Sequence, residues 1–208
     1  GLIVPLTDTT YSFLHDRVQQ AAYSLIPEEQ RAAIHLGIGR LALQQSPEET
    51  LDERIFYIVN QLNMGLGLIS DQEEKYELAQ LNLMAAKKAK ASAAYESSLG
   101  YLSVGAQLLD ERVWDAHYDL AFDLYREFAT VQYVNSNYEH SQELIALLLS
   151  KARTDLEKAE LYNILIVQYT LVARYGDAID AGRRALKLLS VSLAEEDLEK
   201  ELAAELER

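Results

Sequence analysis

Apolar residues recur along this chain at two different periods. Leu2, Val4 and Leu6 alternate, Thr7-Asp8-Thr9-Thr10 supplies turn chemistry, and Tyr11, Phe13 and His15 alternate again. Two short period-two runs around a polar turn predict a β-hairpin. A lone hairpin is marginal in water, so it reads as the remnant of a larger domain. The period then changes to that of an α-helix. Asp16 to Leu25 predicts a short helix stopped by Pro27. Pro27-Glu28-Glu29 opens the next, with proline in the first turn and acids at the positive end of the helix dipole. Ile34, Ile38 and Leu41 share one face of that helix and are expected to bury it. Ser46-Pro47-Glu48-Glu49 is a second break, and Leu51 to Met64 predicts a third helix closed by Gly65 and Gly67.

Beyond Pro47 there is no proline, and Ala, Leu, Glu, Gln and Lys dominate. From Asp71 the pattern reads as helical hairpins. Asp71 to Lys90 pairs with Ser92 to Leu109, Val113 to Val134 with Asn137 to Ala152, and Leu156 to Tyr175 with Asp177 to Leu189. The second helices share a beginning: Tyr95, Tyr138 and Tyr175, each followed three residues on by Ser98, Ser141 or Ala178. The tyrosines are 43 and 37 residues apart. A small residue lets two helices approach closely, and the aromatic is expected to fill the turn between them. Such a period is that of helical-hairpin repeats, whose units bury their apolar faces only by stacking. It exceeds the 34 residues of the standard tetratricopeptide repeat, so these read as longer, degenerate relatives.

Composition narrows the partners. The 208 residues carry a formal net charge of −14, which disfavours nucleic acid, since phosphate binding needs clustered cations. The one basic cluster, Lys87, Lys88 and Lys90, closes a helical pattern and complements its dipole. There is no cysteine, hence no disulfide and no thiolate metal site, which fits a reducing, cytoplasmic setting. No apolar run approaches the roughly 18 residues of a membrane span, so no membrane partner is expected. The start lacks a signal-peptide pattern and has no Met, and it reads as a piece of a longer protein. Seven acids against two bases lie between Val191 and Arg208, where Leu193, Leu198, Leu202 and Leu206 begin a further helical pattern.

Candidate chemistry is sparse. Gly37-Ile-Gly39-Arg-Leu-Ala42 matches the loose pattern G-x-G-x-x-A, but it lies inside a helix begun at Pro27 rather than after a strand. Close helix packing is the better reading. His15 and Asp16 are adjacent and therefore point apart, which favours structural hydrogen bonds over an acid–base dyad. His35 lies one turn from Arg31, as an interdomain or helix-packing contact. His117 and His140 are isolated, and no spacing suits a metal. Trp114 heads an aromatic ladder with Tyr118, Tyr125 and Phe128 that reads as core, or as the wall of a ligand groove. No P-loop, nucleophile elbow or kinase signature is present.

One stretch carries a family resemblance. Phe13, His15, Asp16, Ala22, Tyr23, Arg31, His35, Ile38 and Gly39 match a junction found in bacterial signalling proteins with an AAA-related (STAND) ATPase. There it closes a winged-helix part and leads into helical repeats. Ile58 to Asn63, Leu78 to Leu102 and Trp114 resemble one subset, large bacterial multi-kinases. These join a serine/threonine kinase domain, the ATPase, this helical region, sensory domains and a histidine kinase. The resemblance covers nearly the whole chain through helix-packing motifs. It implies an all-α, TPR-like superhelix of stacked hairpins with a short N-terminal β-hairpin. Residues 1–45 would end the ATPase-associated module, 46–190 would form the repeats, and 191–208 would start a further acidic helix. It implies a non-catalytic regulatory segment that contacts protein domains. ATP would be bound by the parent protein and no cofactor by the segment itself. The residues expected at interdomain or groove contacts are His15, Asp16, His35, Trp114 and Tyr118. The alternative is a sensor that takes a small molecule inside the superhelix.

Overall fold

Schellman turns and extended linkers set where the helices of this chain end. The computed structural model describes the backbone of residues 3–5, 11–13 and 16–191, and side chains from Arg17 onward other than Gln19, Ala22 and Glu48. His15 and the segment 192–208 lie outside the described residues, as does the side chain of Asp16. Strands β1 (Ile3–Pro5) and β2 (Tyr11–Phe13) pair antiparallel, with Val4 opposite Ser12. The rest of the described chain is helices joined by turns and short extended linkers. The chain divides into two compact units, residues 1–81 and 82–208, with the boundary inside a helix.

The first unit holds α1 (Asp16–Ser24), α2 (Glu28–Gln44), α3 (Glu48–Met64), a single 3-10 turn at Leu66–Leu68 and the first half of α4 (Gln72–Ala91). Prolines 27 and 47 stand immediately before α2 and α3, where a missing N–H costs nothing. Ile55, Ile58, Val59 and Leu62 of α3 are buried. α2 meets them through Leu36, Gly39 and Ala42. The expected face of α2 is therefore corrected: Ile34, Ile38 and Leu41 point outward and are 39%, 38% and 53% exposed. α2 is apolar on two sides, and the pair of small residues, Gly39 and Ala42, decides which side can approach α3 most closely. A Cβ on Gly39 would sit 2.7 Å from the Leu62 side chain, while one on Gly37 would meet nothing within 4 Å. Gly65 is tighter still, since its Cβ would fall 2.5 Å from Leu36 Cβ and 2.8 Å from the Ala32 carbonyl oxygen.

The second unit holds the rest of α4, then α5 (Tyr95–Leu108), α6 (Val113–Ala116), α7 (Tyr118–Val134), α8 (Tyr138–Lys151), α9 (Asp155–Leu171) and α10 (Tyr175–Leu188). The second helix of each hairpin starts at the shared tyrosine itself, two residues before the expected start of α10. The reason is the turn. Ala93, Ser136 and Ala173 adopt left-handed φ of 57°, 64° and 58°, each two residues before the tyrosine. Each donates its N–H to the carbonyl three residues back, and the next residue donates to the carbonyl five back, as in Ala93 to Lys90 and Ala94 to Ala89. This is the Schellman motif, built without glycine. It ends α9 at Leu171, so Gly176 lies within α10 instead of closing the preceding helix. The tyrosines do not fill the turns: Tyr95, Tyr138 and Tyr175 are 36%, 43% and 62% exposed. The helix expected from Val113 to Val134 is interrupted at His117, whose φ of −137° and ψ of 54° leave the helical region and cap α7.

Three residues after each tyrosine the close approach is real and polar. Ser98 Oγ donates to the Ala86 carbonyl at 2.9 Å, and Ser141 Oγ donates to the Ala129 carbonyl at 2.8 Å. Both serines are fully buried. In the third hairpin Ala178 stands there, and Thr170 takes the corresponding Ile166 carbonyl at 2.7 Å. α5 packs on α7 and α8 on α9, so neighbouring hairpins cover one another.

Gly37, Gly39 and Gly65 give a graded test by thermal or denaturant melts. Gly65→Ala and Gly39→Ala should each lose about 1–3 kcal/mol by overpacking, Gly65→Ala the more because backbone faces it. Gly37→Ala should gain about 0.5–1 kcal/mol, as an exposed helix interior gains on leaving glycine.

Candidate interaction surface

Of the residues singled out by sequence, His35 lies in one cluster of the first unit and Trp114 and Tyr118 in another of the second, while His15 and the Asp16 side chain lie outside the described residues. In the first unit His35 joins three helices. Its Nδ1 lies 2.6 Å from Gln61 Oε1 on α3, and its Nε2 lies 3.0 Å from the hydroxyl of Tyr23 on α1. Gln61 Oε1 only accepts, so Nδ1 donates to it, while the Tyr23 hydroxyl suits Nε2 as donor or as acceptor. The guanidinium carbon of Arg31 lies 5.0 Å from the centre of the Tyr23 ring, and its Nε donates to the Ile26 carbonyl. Both Arg31 and His35 thus hold Tyr23.

In the second unit Trp114 stacks on Tyr125, with centroids 5.6 Å apart and planes 13° apart, and meets Tyr118 edge-on at 6.1 Å. Tyr118 stacks in turn on Phe122. Trp114 and Tyr118 are only 8% and 9% exposed, so these rings form packed core. Two cations close the cluster. The Arg153 guanidinium lies 3.8 Å from the Tyr118 ring centre, and its Nη2 donates to the Trp114 carbonyl at 2.6 Å. Lys151 Nζ lies 5.4 Å from the Trp114 ring centre. A guanidinium seated on a ring is held by the ring's negative face.

Glu157 fixes the geometry of that clamp. Thr154 and Glu157 form a capping box at the start of α9. Glu157 Oε2 also accepts the Arg153 backbone N–H at 2.7 Å, and that N–H reaches the Tyr118 hydroxyl at 3.2 Å. Burial pushes the Glu157 pKa up. The backbone N–H groups of Thr154 and Arg153 and the Tyr118 and Thr154 hydroxyls outweigh it and hold the carboxyl below its ordinary value. Burial also raises the Tyr118 phenol. Sequence reading missed Arg153 and Glu157, although Thr154-x-x-Glu157 is a legible capping signal.

Neither cluster presents an open nucleophile or a cleft between carboxylates. Among the described residues no three His, Asp or Glu side chains gather as a metal site, and no helix is long and apolar enough to cross a membrane. What remains open is surface. On α2, Ile34, Gly37, Ile38 and Leu41 make one exposed apolar stripe. In the second unit a groove of about 530 Å³ is lined by the apolar Leu149, Tyr162 and Leu188 and by charged residues of both signs, Asp155 and Arg184 among them.

The chain is 32% identical to the hybrid signal transduction histidine kinase G of Dictyostelium discoideum, over 92% of this chain and 6% of that protein. The relative comes from Dictyostelium, so the bacterial setting expected from the junction motif is not supported. No known protein family matches the chain, and no solved structure matches it.

The Glu157 carboxylate sets a pH dependence. A carboxyl whose folded pKa lies below its unfolded one adds stability above the unfolded value and loses it as pH falls through the folded one. Stability should therefore fall on acidification through and below the ordinary glutamate range, and Glu157→Gln should flatten that slope while lowering stability at pH 7. Melts at a series of pH values read both effects.

Proposed function

We propose that this chain is a non-catalytic interaction segment of a signal-transducing kinase, a TPR-like array of helical hairpins that couples an ATPase module to kinase and sensor domains. The observation that carries the reading is the recurrence of one turn, with one buried hydroxyl bond behind it, in successive hairpins. Arrays of that kind offer extended surfaces for protein domains. The similarity to a histidine kinase over 92% of the chain supports the signalling context. ATP belongs to the parent protein in this reading, and the segment itself holds no cofactor. His35, Trp114 and Tyr118 act as positioning residues: they set the helices whose outer faces meet neighbouring domains, with His15 and Asp16 at the junction ahead of them. The exposed stripe of α2 is the favoured contact in the first unit. A ligand buried among the aromatic residues is disfavoured, because Trp114, Tyr118 and Tyr125 pack on one another.

Ile34→Asp with Ile38→Asp tests the reading in the full-length kinase. Both side chains are exposed, so melting of the chain should shift by no more than about 1–2 °C, while autophosphorylation should change several-fold. Unchanged autophosphorylation overturns the reading. A thermal-shift panel of metabolites and nucleotides should stay flat, whereas a site-specific ligand at 100 times its Kd would add about 2.7 kcal/mol.

A further inference from the structure

A two-pronged ion pair bridges α2 and α4. Arg40 Nε and Nη2 donate to the two carboxylate oxygens of Glu74 at 2.7 and 2.8 Å. Beside that bridge lies a groove of about 420 Å³, within the first unit. Its apolar lining is Leu43 of α2, Leu62 of α3, and Leu78 and Leu81 of α4. Leu62, Leu78 and Leu81 are buried, and Leu43 is half-buried. Gln44 and Glu77 also line the groove and are exposed.

Arg40 and Glu74 neutralise each other, so the charge that the lining presents is the carboxylate of Glu77. The start of α4 carries the same sign, with four acids against one base from Asp71 to Glu77. The whole chain has a formal net charge of −14. A polar small molecule is held by several polar groups placed around an apolar pocket. Four leucines and one exposed carboxylate suit instead an apolar side chain with a cation next to it. The groove also adjoins the exposed stripe of α2. Gln44 follows Leu41 by three residues, as Leu41 follows Ile38, so a segment lying on the stripe reaches the groove one turn on.

We propose that this groove receives an apolar side chain, of leucine or phenylalanine size, from a basic amphipathic segment of a partner domain lying along α2. The anchor seats among the four leucines, and a lysine or arginine beside it pairs with Glu77. The inference rests on the reading of this chain as an interaction segment and adds the chemistry of its partner, an apolar anchor flanked by positive charge.

The chain has no cysteine, so Gln44→Cys places a single thiol at the groove. Glu53→Cys places one at an exposed position of α3 that does not line it. Three short synthetic peptides with a terminal cysteine compete for disulfide capture by the 208-residue chain in a mildly reducing thiol buffer. Their centres are leucine between arginines, alanine between arginines, and leucine between glutamates. The Gln44→Cys chain should capture the first several-fold more than either other, and the Glu53→Cys chain should not distinguish leucine from alanine. Adding Glu77→Lys to Gln44→Cys should remove the preference for arginine over glutamate and keep that for leucine over alanine. Equal capture of the leucine and alanine peptides at the groove overturns the anchor, and a preference for the glutamate peptide overturns the basic partner. The assay needs no kinase activity. If selective capture is missing while Ile34→Asp with Ile38→Asp still changes autophosphorylation, this inference alone falls. Selective capture with unchanged autophosphorylation upholds the groove and overturns its coupling role.

Discussion

One buried hydroxyl holds two hairpins of this chain together. Ser141 on α8 donates to the Ala129 carbonyl on α7 and accepts from the Gln168 amide on α9, each at 2.8 Å. Ser141 is fully buried and Gln168 is 4% exposed, so neither group has water to fall back on. A buried polar atom left without a partner costs about 1–3 kcal/mol, which makes this arrangement specific as well as stabilising. At the same residue the Gln168 backbone carbonyl accepts the Tyr133 hydroxyl at 3.3 Å. Apolar packing of Leu144, Ile145, Leu148, Leu161 and Leu165 supplies the bulk of the burial. The serine fixes which register of α9 against α8 satisfies every donor.

Ser98 makes the bond to its own hairpin but receives none from the next, and Ala178 makes neither. The hairpins are thus variations on one design, with the polar tie used once between α7, α8 and α9. The aromatic clamp serves the same joint from its other end. Arg153, in the linker between α8 and α9, bonds the Trp114 carbonyl and covers Tyr118, so the two ends of the joint are held by different chemistry.

Much of this was legible in the sequence, and the misses have physical causes. The tyrosine-x-x-small pattern located all three hairpins, because a close approach demands a small residue whatever else it does. It did not reveal that the small residue works by its hydroxyl, which Ser98 and Ser141 have and Ala178 lacks. The turn was placed three residues late at Gly176, since glycine is the usual left-handed residue and here Ala173 takes that role. Face assignment failed on α2, where Ile34, Ile38 and Leu41 form as good a stripe as Leu36, Gly39 and Ala42. Periodicity finds apolar faces, but the smaller pair at Gly39 and Ala42 is what admits α3. The Trp114 ladder suited a core or a groove wall equally in the sequence, and Trp114 and Tyr118, expected at contacts, are buried; the cations beside them stayed invisible because Arg153 lies 39 residues from Trp114.

Native-state hydrogen exchange of Ser141→Ala is the most direct test that these hairpins act as one stacked unit. If Ser141 ties them, removal of its hydroxyl lowers the protection of α9 amides around Gln168 together with those of α7 and α8. Loss confined to α7 and α8, with α9 exchanging as in the unmodified chain, would show that each hairpin stands alone and would contradict the account.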